Sequence, residues 1–321
     1  VKGWKSVKVL VTGGAGFIGR WLVKKLLEDR HQVWVLDDLS NGREENIREF
    51  TGHPLIVDFI RGDIRNVEIL DALFQNGIDI CYHLAASINV QDSIDNPGTT
   101  FDNDVVGTFN VLEQCRRHNT RMVFMSTCMV YDRASGDRGI DELHPVKPAS
   151  PYAGSKIAGE NLVLSYWYAY NLPVVVVRPF NTYGPFQKTG GEGGVVAIFA
   201  KKSIRGEVLN IYGDGTQTRD LLYVEDCARF VAEVGYSEVT GGEIVNAGLG
   251  RDISINELAI MIAGGKDKIA HIPHIHPQSE IMKLLSNYDK ATRLTGWRPR
   301  VTLEEGIART IEWISKNPDL V

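Results

Sequence analysis

Lys8-Val9-Leu10-Val11-Thr12-Gly13-Gly14-Ala15-Gly16-Phe17-Ile18-Gly19 decides the fold. The first five residues are apolar or β-branched for the most part and read as a strand buried on both faces. The G-x-x-G-x-x-G run that follows permits a tight turn and close approach of a pyrophosphate. An amphipathic helix is expected from Phe17 to Asp29. Strand, glycine turn and helix together form the setting in which helix N-terminal amides bind phosphate. Gly13, Gly16, Phe17, Ile18 and Gly19 are therefore candidate cofactor contacts. A glycine-rich turn without a ligand is the plain alternative.

Working outward, Gln32 to Leu36 is the second strand, and it ends in Asp37-Asp38. Asp37 lies 18 residues past Gly19. An acid there can accept both hydroxyls of an adenosine ribose and would repel a 2′-phosphate, which argues for NAD over NADP. No arginine directly follows the strand, although Arg43 is near. Further strands are expected at Leu55 to Arg61, Ile80 to Leu84, Met122 to Ser126 and Leu172 to Val177. Helices are expected at Asn66 to Gln75 and Asn103 to His118. This alternation predicts an α/β fold with a Rossmann-type, doubly wound parallel sheet. Asp63 follows a strand where adenine would lie. Leu84-Ala85-Ala86 are small enough to let a cofactor pass, and Asn103 opens a helix facing it; caps and turns are the alternative roles for these residues.

Residues 1–181 are expected to form the NAD-binding domain, with 220–262 returning to it in part. Residues 182–219 and 263–321 are expected to form a smaller C-terminal substrate-binding lobe. Val195 to Ile204 reads as a helix, Val208 to Tyr212 as a strand, and Val245-Asn246-Ala247-Gly248 as the last strand. Ser254-Ile255-Asn256-Glu257 reads as a capping box, and Leu303 to Ile314 as the closing helix. Three histidines in His271 to Gln278 suggest a metal, but two prolines and alternating isoleucines favour an extended segment, and no metal is expected.

Apolar residues make up 43% of the 321 and charged residues 23%, as in a soluble enzyme. A net charge of −5 argues against nucleic acid or an anionic membrane as partner. No apolar run reaches membrane-spanning length. Val1-Lys2-Gly3-Trp4-Lys5 lacks a following apolar core and is not expected to be a signal peptide. Four cysteines without C-x-x-C spacing read as reduced thiols in a cytoplasm.

Candidate chemistry lies where Ser126-Thr127-Cys128-Met129-Val130-Tyr131 ends a strand and Tyr152-Ala153-Gly154-Ser155-Lys156 starts a helix. Positions i and i+4 share a helix face. An ammonium at Lys156 favours the Tyr152 phenolate, making Tyr152 an acid or base for an alcohol losing hydride. Thr127 is placed to hydrogen-bond the same oxygen. Alone, Y-x-x-x-K is more often a solvated helix face.

The ordered motifs change that weighting. They are Thr12 to Gly19, Asp37-Asp38-Leu39-Ser40-Asn41-Gly42, Gly62-Asp63-Ile64, His83 to Ala86, Ser126-Thr127 with Val130-Tyr131, Tyr152 to Lys156, and Arg178-Pro179-Phe180-Asn181-Thr182-Tyr183-Gly184-Pro185. Over nearly its whole length the chain resembles the extended short-chain dehydrogenase/reductase family, in particular its nucleotide-sugar epimerases and dehydratases. The resemblance implies a tightly held, recycled NAD that oxidises a sugar at carbon 4, with Thr127, Tyr152 and Lys156 as catalytic set. It extends the NAD contacts to Asp38, Ser40, Asn41, Gly42, Ile64, Ser126, Tyr152, Lys156 and Phe180. For the sugar nucleotide it implies Ser87, Asn89, Thr127, Asn181, Gly194, Val195, Asn210, Ile211, Tyr212, Arg219, His276 and Gln278. Arg219 stands where a guanidinium pairs with the diphosphate; pairing with a nearby acid is the alternative. His276 and Gln278 depart from the family pattern. Gly190 to Gly194 is either a loop over the sugar or a linker. A homodimer through a four-helix contact is also implied, with Tyr166, Trp167, Tyr168 and Tyr170 on its helix.

One departure bears on the reaction. Related 4,6-dehydratases carry Asp and Glu after the catalytic threonine, where this chain has Cys128 and Met129. A thioether takes no proton. Thr127-Cys128-Met129-Val130-Tyr131-Asp132 looks most like the 5,6-ene-forming dehydratases of UDP-N-acetylglucosamine. A thiol, within about two pKa units of neutral when unperturbed, can protonate the leaving hydroxyl. A UDP-sugar 4-epimerase needs neither acid and is the alternative. A catalytically silent NAD-binding regulator is a third reading, against which the intact Thr127, Tyr152 and Lys156 speak.

Overall fold

The structure, a computed structural model, describes residues 6–190, 194–274, 277 and 280–320. The readings at 1–5, at His276 and Gln278, and over 191–193 of the glycine run lie outside the described residues. The chain forms two compact units: 1–127 with 150–178 and 228–245, and 128–149 with 179–227 and 246–321. Segment 128–149 thus groups with the second unit, although the sequence division put it within 1–181.

The first unit opens β1 (Lys8–Thr12), α1 (Phe17–Glu28), β2 (Gln32–Asp37), β3 (Ile56–Arg61), α2 (Val67–Phe74), β4 (Ile80–His83), α3 (Val90–Asp95) and α4 (Pro97–Phe101). A π-helical turn, Asp102–Gly107, then leads without a break into α5 (Thr108–His118). Next come β5 (Arg121–Met125), α6 (Pro151–Tyr170) and β6 (Val174–Pro179). The helix expected from Asn103 therefore starts six residues earlier, because Pro97 suits the first turn of a helix. Asn66 caps α2 by accepting from the Glu68 and Ile69 amides.

Strands β1 to β6 and β10 (Glu243–Ala247) form one sheet in the order β10-β6-β5-β4-β1-β2-β3. The pairs β1–β2, β1–β4, β2–β3, β4–β5 and β5–β6 are parallel. Strand order reverses between β1 and β4, so a crevice opens at their C-terminal ends. Leu10, Leu36, Phe74, Val111, Met122, Phe124 and Val176 are among the side chains that bury one core against the sheet.

The second unit holds β7 (Asn181–Tyr183), α7 (Val195–Ile204), β8 (Leu209–Tyr212), β9 (Thr218–Tyr223), the start of α8 (Val224–Tyr236), β11 (Asp252–Ser254), α9 (Ile255–Ala263), β12 (Ile269–Ile272), β13 (Lys283–Leu284), α10 (Asp289–Thr295) and α11 (Leu303–Lys316). Strands β7, β9, β11 and β13 share one sheet, and β8 pairs with β12. Val245 to Gly248 is therefore not the last strand. Three later ones among the described residues are two to four residues long, too short for periodicity to reveal. The capping box forms as read at Ser254 and Glu257.

Candidate active site

The crevice end of β1 is built for close approach. Gly13 has φ +72°, and a β-carbon there would lie 2.7 Å from the Ala85 amide nitrogen. One at Gly19 would run into the Gly13 carbonyl oxygen. The N-cap of α1, Gly16, offers no side-chain acceptor, which leaves the first-turn amides for an anion. Asp37 is buried at the end of β2; its Oδ2 accepts from the Ala15 amide at 2.9 Å and its Oδ1 from the Leu39 amide at 2.9 Å. Burial raises its pKa, and these amides oppose that rise. The carboxylate is thereby fixed against the glycine turn. This cradle fits a dinucleotide: amides for the pyrophosphate, an acid for the ribose, and small residues where β4 ends.

Other sequence candidates are spread along the same edge. Asp38 is exposed and accepts from the Ser40 amide and hydroxyl. Asp63 pairs with Arg65, whose guanidinium lowers its pKa. Ile64 is core. Gly42 sits so that a β-carbon would lie 2.8 Å from Asp37 Oδ1. Asn41 is half-buried beside it. Asn89 caps α3 through the Asp92 amide, and Asn103 donates to the Ser87 hydroxyl at 3.1 Å.

Behind Ala85 runs a chain of buried hydroxyls and an imidazole. Thr108 Oγ1 donates its only proton to the Asp104 carbonyl at 2.6 Å. It can then only accept from His83 Nε2, at 3.0 Å. His83 Nδ1 accepts from Thr12 Oγ1 at 2.7 Å, and Thr12 Oγ1 accepts from the Ala85 amide at 3.3 Å. One neutral tautomer satisfies every bond. Burial first, and the Lys156 charge second, push the His83 pKa down to about 3.

Tyr152 and Lys156 lie one turn apart on α6, and Thr127 follows β5 two residues beyond Met125. All three are buried. Lys156 Nζ donates to the Met125 carbonyl at 3.0 Å, which ties the helix to the strand end that carries Thr127. Beneath them Glu160 accepts from Ser126 Oγ and receives a two-pronged bond from Arg178, at 2.8 and 2.5 Å. Both members of that pair are buried. Desolvation lowers the Lys156 pKa, while Asp104 and Glu160 act to raise it. The sequence reading named neither His83, Asp104, Glu160 nor Arg178 for a role. A signal existed for Glu160, which continues Tyr152 and Lys156 on the same helix face at i+8.

In the second unit Cys128 is 2% exposed and opens the short turn Cys128–Val130; Met129 is half-buried. Phe180 stacks on Tyr131 in the interior. Asn181 Oδ1 is buried without a hydrogen-bond partner among the described residues. Along β8, Ile211 enters the core while Asn210 and Tyr212 face outward. Gly194 and Val195 begin α7. Arg219 bonds to Glu280 and donates to the Thr218 and Ile281 carbonyls at 2.8 Å each; His274 Nε2 reaches Glu280 at 2.6 Å.

Comparisons with known proteins fit this geometry. Residues 9–248 match the NAD dependent epimerase/dehydratase family. The UDP-glucose 4-epimerase of Mycolicibacterium smegmatis is 37% identical, over 96% of this chain and 98% of that one. The X-ray structure of Pal from Bacillus thuringiensis is 63% identical, with a TM-score of 0.95 over 96% of this chain and 99% of that one. The Thermus thermophilus UDP-glucose 4-epimerase in complex with NAD is 34% identical, with a TM-score of 0.87 over 96% and 99%. With its glycine turn, buried Asp37 and Tyr152–Lys156 pair, the chain belongs to the NAD dependent epimerase/dehydratase family.

Proposed function

We propose that the protein is a cytoplasmic, NAD-recycling dehydratase of UDP-N-acetylglucosamine that forms a carbon 5–6 alkene. The observation that carries this reading is the buried Cys128 directly after Thr127, with Met129 next. Thr127 hydrogen-bonds the sugar's carbon 4 oxygen, and Tyr152 takes its proton, with the Lys156 ammonium stabilising the phenolate. NAD, which the Gly13–Gly19 turn and Asp37 would hold, would supply the acceptor and donor for the carbon 4 hydride and be recycled. Cys128 gives its proton to the departing carbon 6 hydroxyl, and the carbon 5 proton is taken up in exchange by the resulting thiolate; one water leaves, the alkene forms, and Tyr152 returns its proton to the carbon 4 oxygen as hydride comes back. Asn181 Oδ1, without a partner among the described residues, supports a polar ligand beside β7.

The names of the M. smegmatis and T. thermophilus relatives favour a second reading, a UDP-sugar 4-epimerase. That reaction leaves Cys128 and Met129 as lining. Mass spectrometry of UDP-N-acetylglucosamine incubated with the enzyme separates the two. Loss of one water supports the dehydratase; an isomer of unchanged mass supports the epimerase.

We also propose a homodimer through α4, the π turn, α5 and α6. Phe101, Val106, Phe109, Tyr168 and Tyr170 are exposed apolar or aromatic groups on these helices. A hollow of about 270 Å³ lies between Phe101, Val105, Gly154 and Ala158. Tyr166, by contrast, is core. Light scattering at micromolar concentration should give twice the chain mass, and Phe101→Glu with Phe109→Glu should give one; a wild-type monomer overturns the proposal.

A further inference from the structure

Two buried polar residues beside the glycine turn, Arg20 and Asn46, have no part in the proposed chemistry. Arg20 lies on α1 and is 1% exposed; Asn46 is 8% exposed. Asn46 ends the first of two short 3₁₀ turns, Glu44–Asn46 and Arg48–Phe50, between β2 and β3. Side chains of these types are rarely buried unless paired. Their partners are specific.

The Ala15 carbonyl accepts from Asn46 Nδ2 at 2.8 Å and from the Arg43 amide at 3.1 Å, which uses both of its lone pairs. The Ala15 amide is the one that donates to Asp37 Oδ2. On the far side of the same peptide, the Gly16 amide donates to the Gly13 carbonyl at 3.1 Å. The Ala15–Gly16 peptide leads directly into the first turn of α1, so segment 43–46 fixes the turn that offers its amides to an anion, and Asp37 with it. Asn46 is itself anchored. Its carbonyl accepts from Arg20 Nε at 3.0 Å. Arg20 also pairs with Glu49, and its guanidinium lies 4.5 Å from the centre of the Trp21 ring and 5.3 Å from that of Phe50. A continuous set of bonds thus runs from α1 through Arg20 and Asn46 to Ala15 and Asp37.

We propose that Asn46, anchored by Arg20, is a positioning residue for NAD: it holds the Ala15–Gly16 peptide and Asp37 in the geometry of the cradle and so sets how slowly the cofactor leaves. The role rests on NAD as the cofactor of this family and not on which sugar is converted.

Holoenzyme is chased with ¹⁴C-labelled NAD, and uptake of label gives the release rate. Asn46→Ala should release NAD about tenfold faster, the equivalent of one buried hydrogen bond. Arg20→Met should also speed release, and the double variant should be no faster than the faster single one, because both residues act through one chain of contacts. Release from Asn46→Ala at the wild-type rate overturns the proposal even if its melting temperature falls, since a merely structural Asn46 lowers stability alone. Effects that multiply in the double variant overturn it as well. Where Asn46→Ala does not fold, amide hydrogen exchange of the wild type decides. The Arg43 amide, which bonds the same Ala15 carbonyl, should exchange at least about tenfold more slowly with NAD bound than with NAD removed; equal rates overturn the proposal. A holoenzyme that alters no UDP-sugar would refute the functional reading and leave these release rates unaffected.

Discussion

Replacing His83 by glutamine should change how stability depends on pH. His83 is 1% exposed, and its pKa falls from 6.5 to about 3. The unfolded chain therefore binds a proton below pH 6.5 that the folded chain refuses. The stability this represents is present above 6.5 and is lost as pH falls from 6.5 towards 3. Between pH 7 and pH 5 the loss is about 2 kcal/mol, from the difference in proton uptake. His83→Gln lacks this term, while the other groups titrate in both proteins. Urea unfolding of holoenzyme at pH 7 and pH 5, followed by circular dichroism, measures the difference. Wild type should lose about 2 kcal/mol more than the variant over that interval. Equal losses in the two proteins would refute a neutral, hydroxyl-locked His83.

Removing one side of the buried Arg178–Glu160 pair with Arg178→Met should destabilise the fold by about 3–5 kcal/mol; adding Glu160→Gln should return part of it in thermal unfolding. Gly19→Ala forces a β-carbon against the Gly13 carbonyl and should yield protein with little bound NAD, read by its absorbance after extraction; a full complement would contradict the cradle. Cys128→Ala should cut turnover by about 10²–10⁴-fold with normal NAD content if the thiol is the general acid; unchanged turnover removes Cys128 from the mechanism.

What the sequence makes legible here is what repeats locally. The strand Lys8–Thr12, the glycine turn and the helix at Phe17 announce themselves by period and composition, and the structure holds them where expected. Asp37 is visible because it ends a strand at a telling distance from the glycines. The rest depends on groups that meet only after folding. His83 makes sense through Thr12 and Thr108, from β1 and α5, and no spacing rule joins three such residues. Asp104 reads as one polar residue in an unremarkable helix, because a π turn leaves no clear mark on apolar periodicity. Arg219 bonds to Glu280, a partner 61 residues away that no local pattern announces. The short strands at 252–254, 269–272 and 283–284 take their existence from their neighbours in the sheet and not from their own sequence.

Proton NMR of UDP-N-acetylglucosamine incubated with the purified enzyme in heavy water tests the central claim most directly. New vinyl signals from a carbon 5–6 alkene are the predicted result. A carbon 6 methyl beside a keto sugar, or the galacto isomer with no alkene, would contradict it.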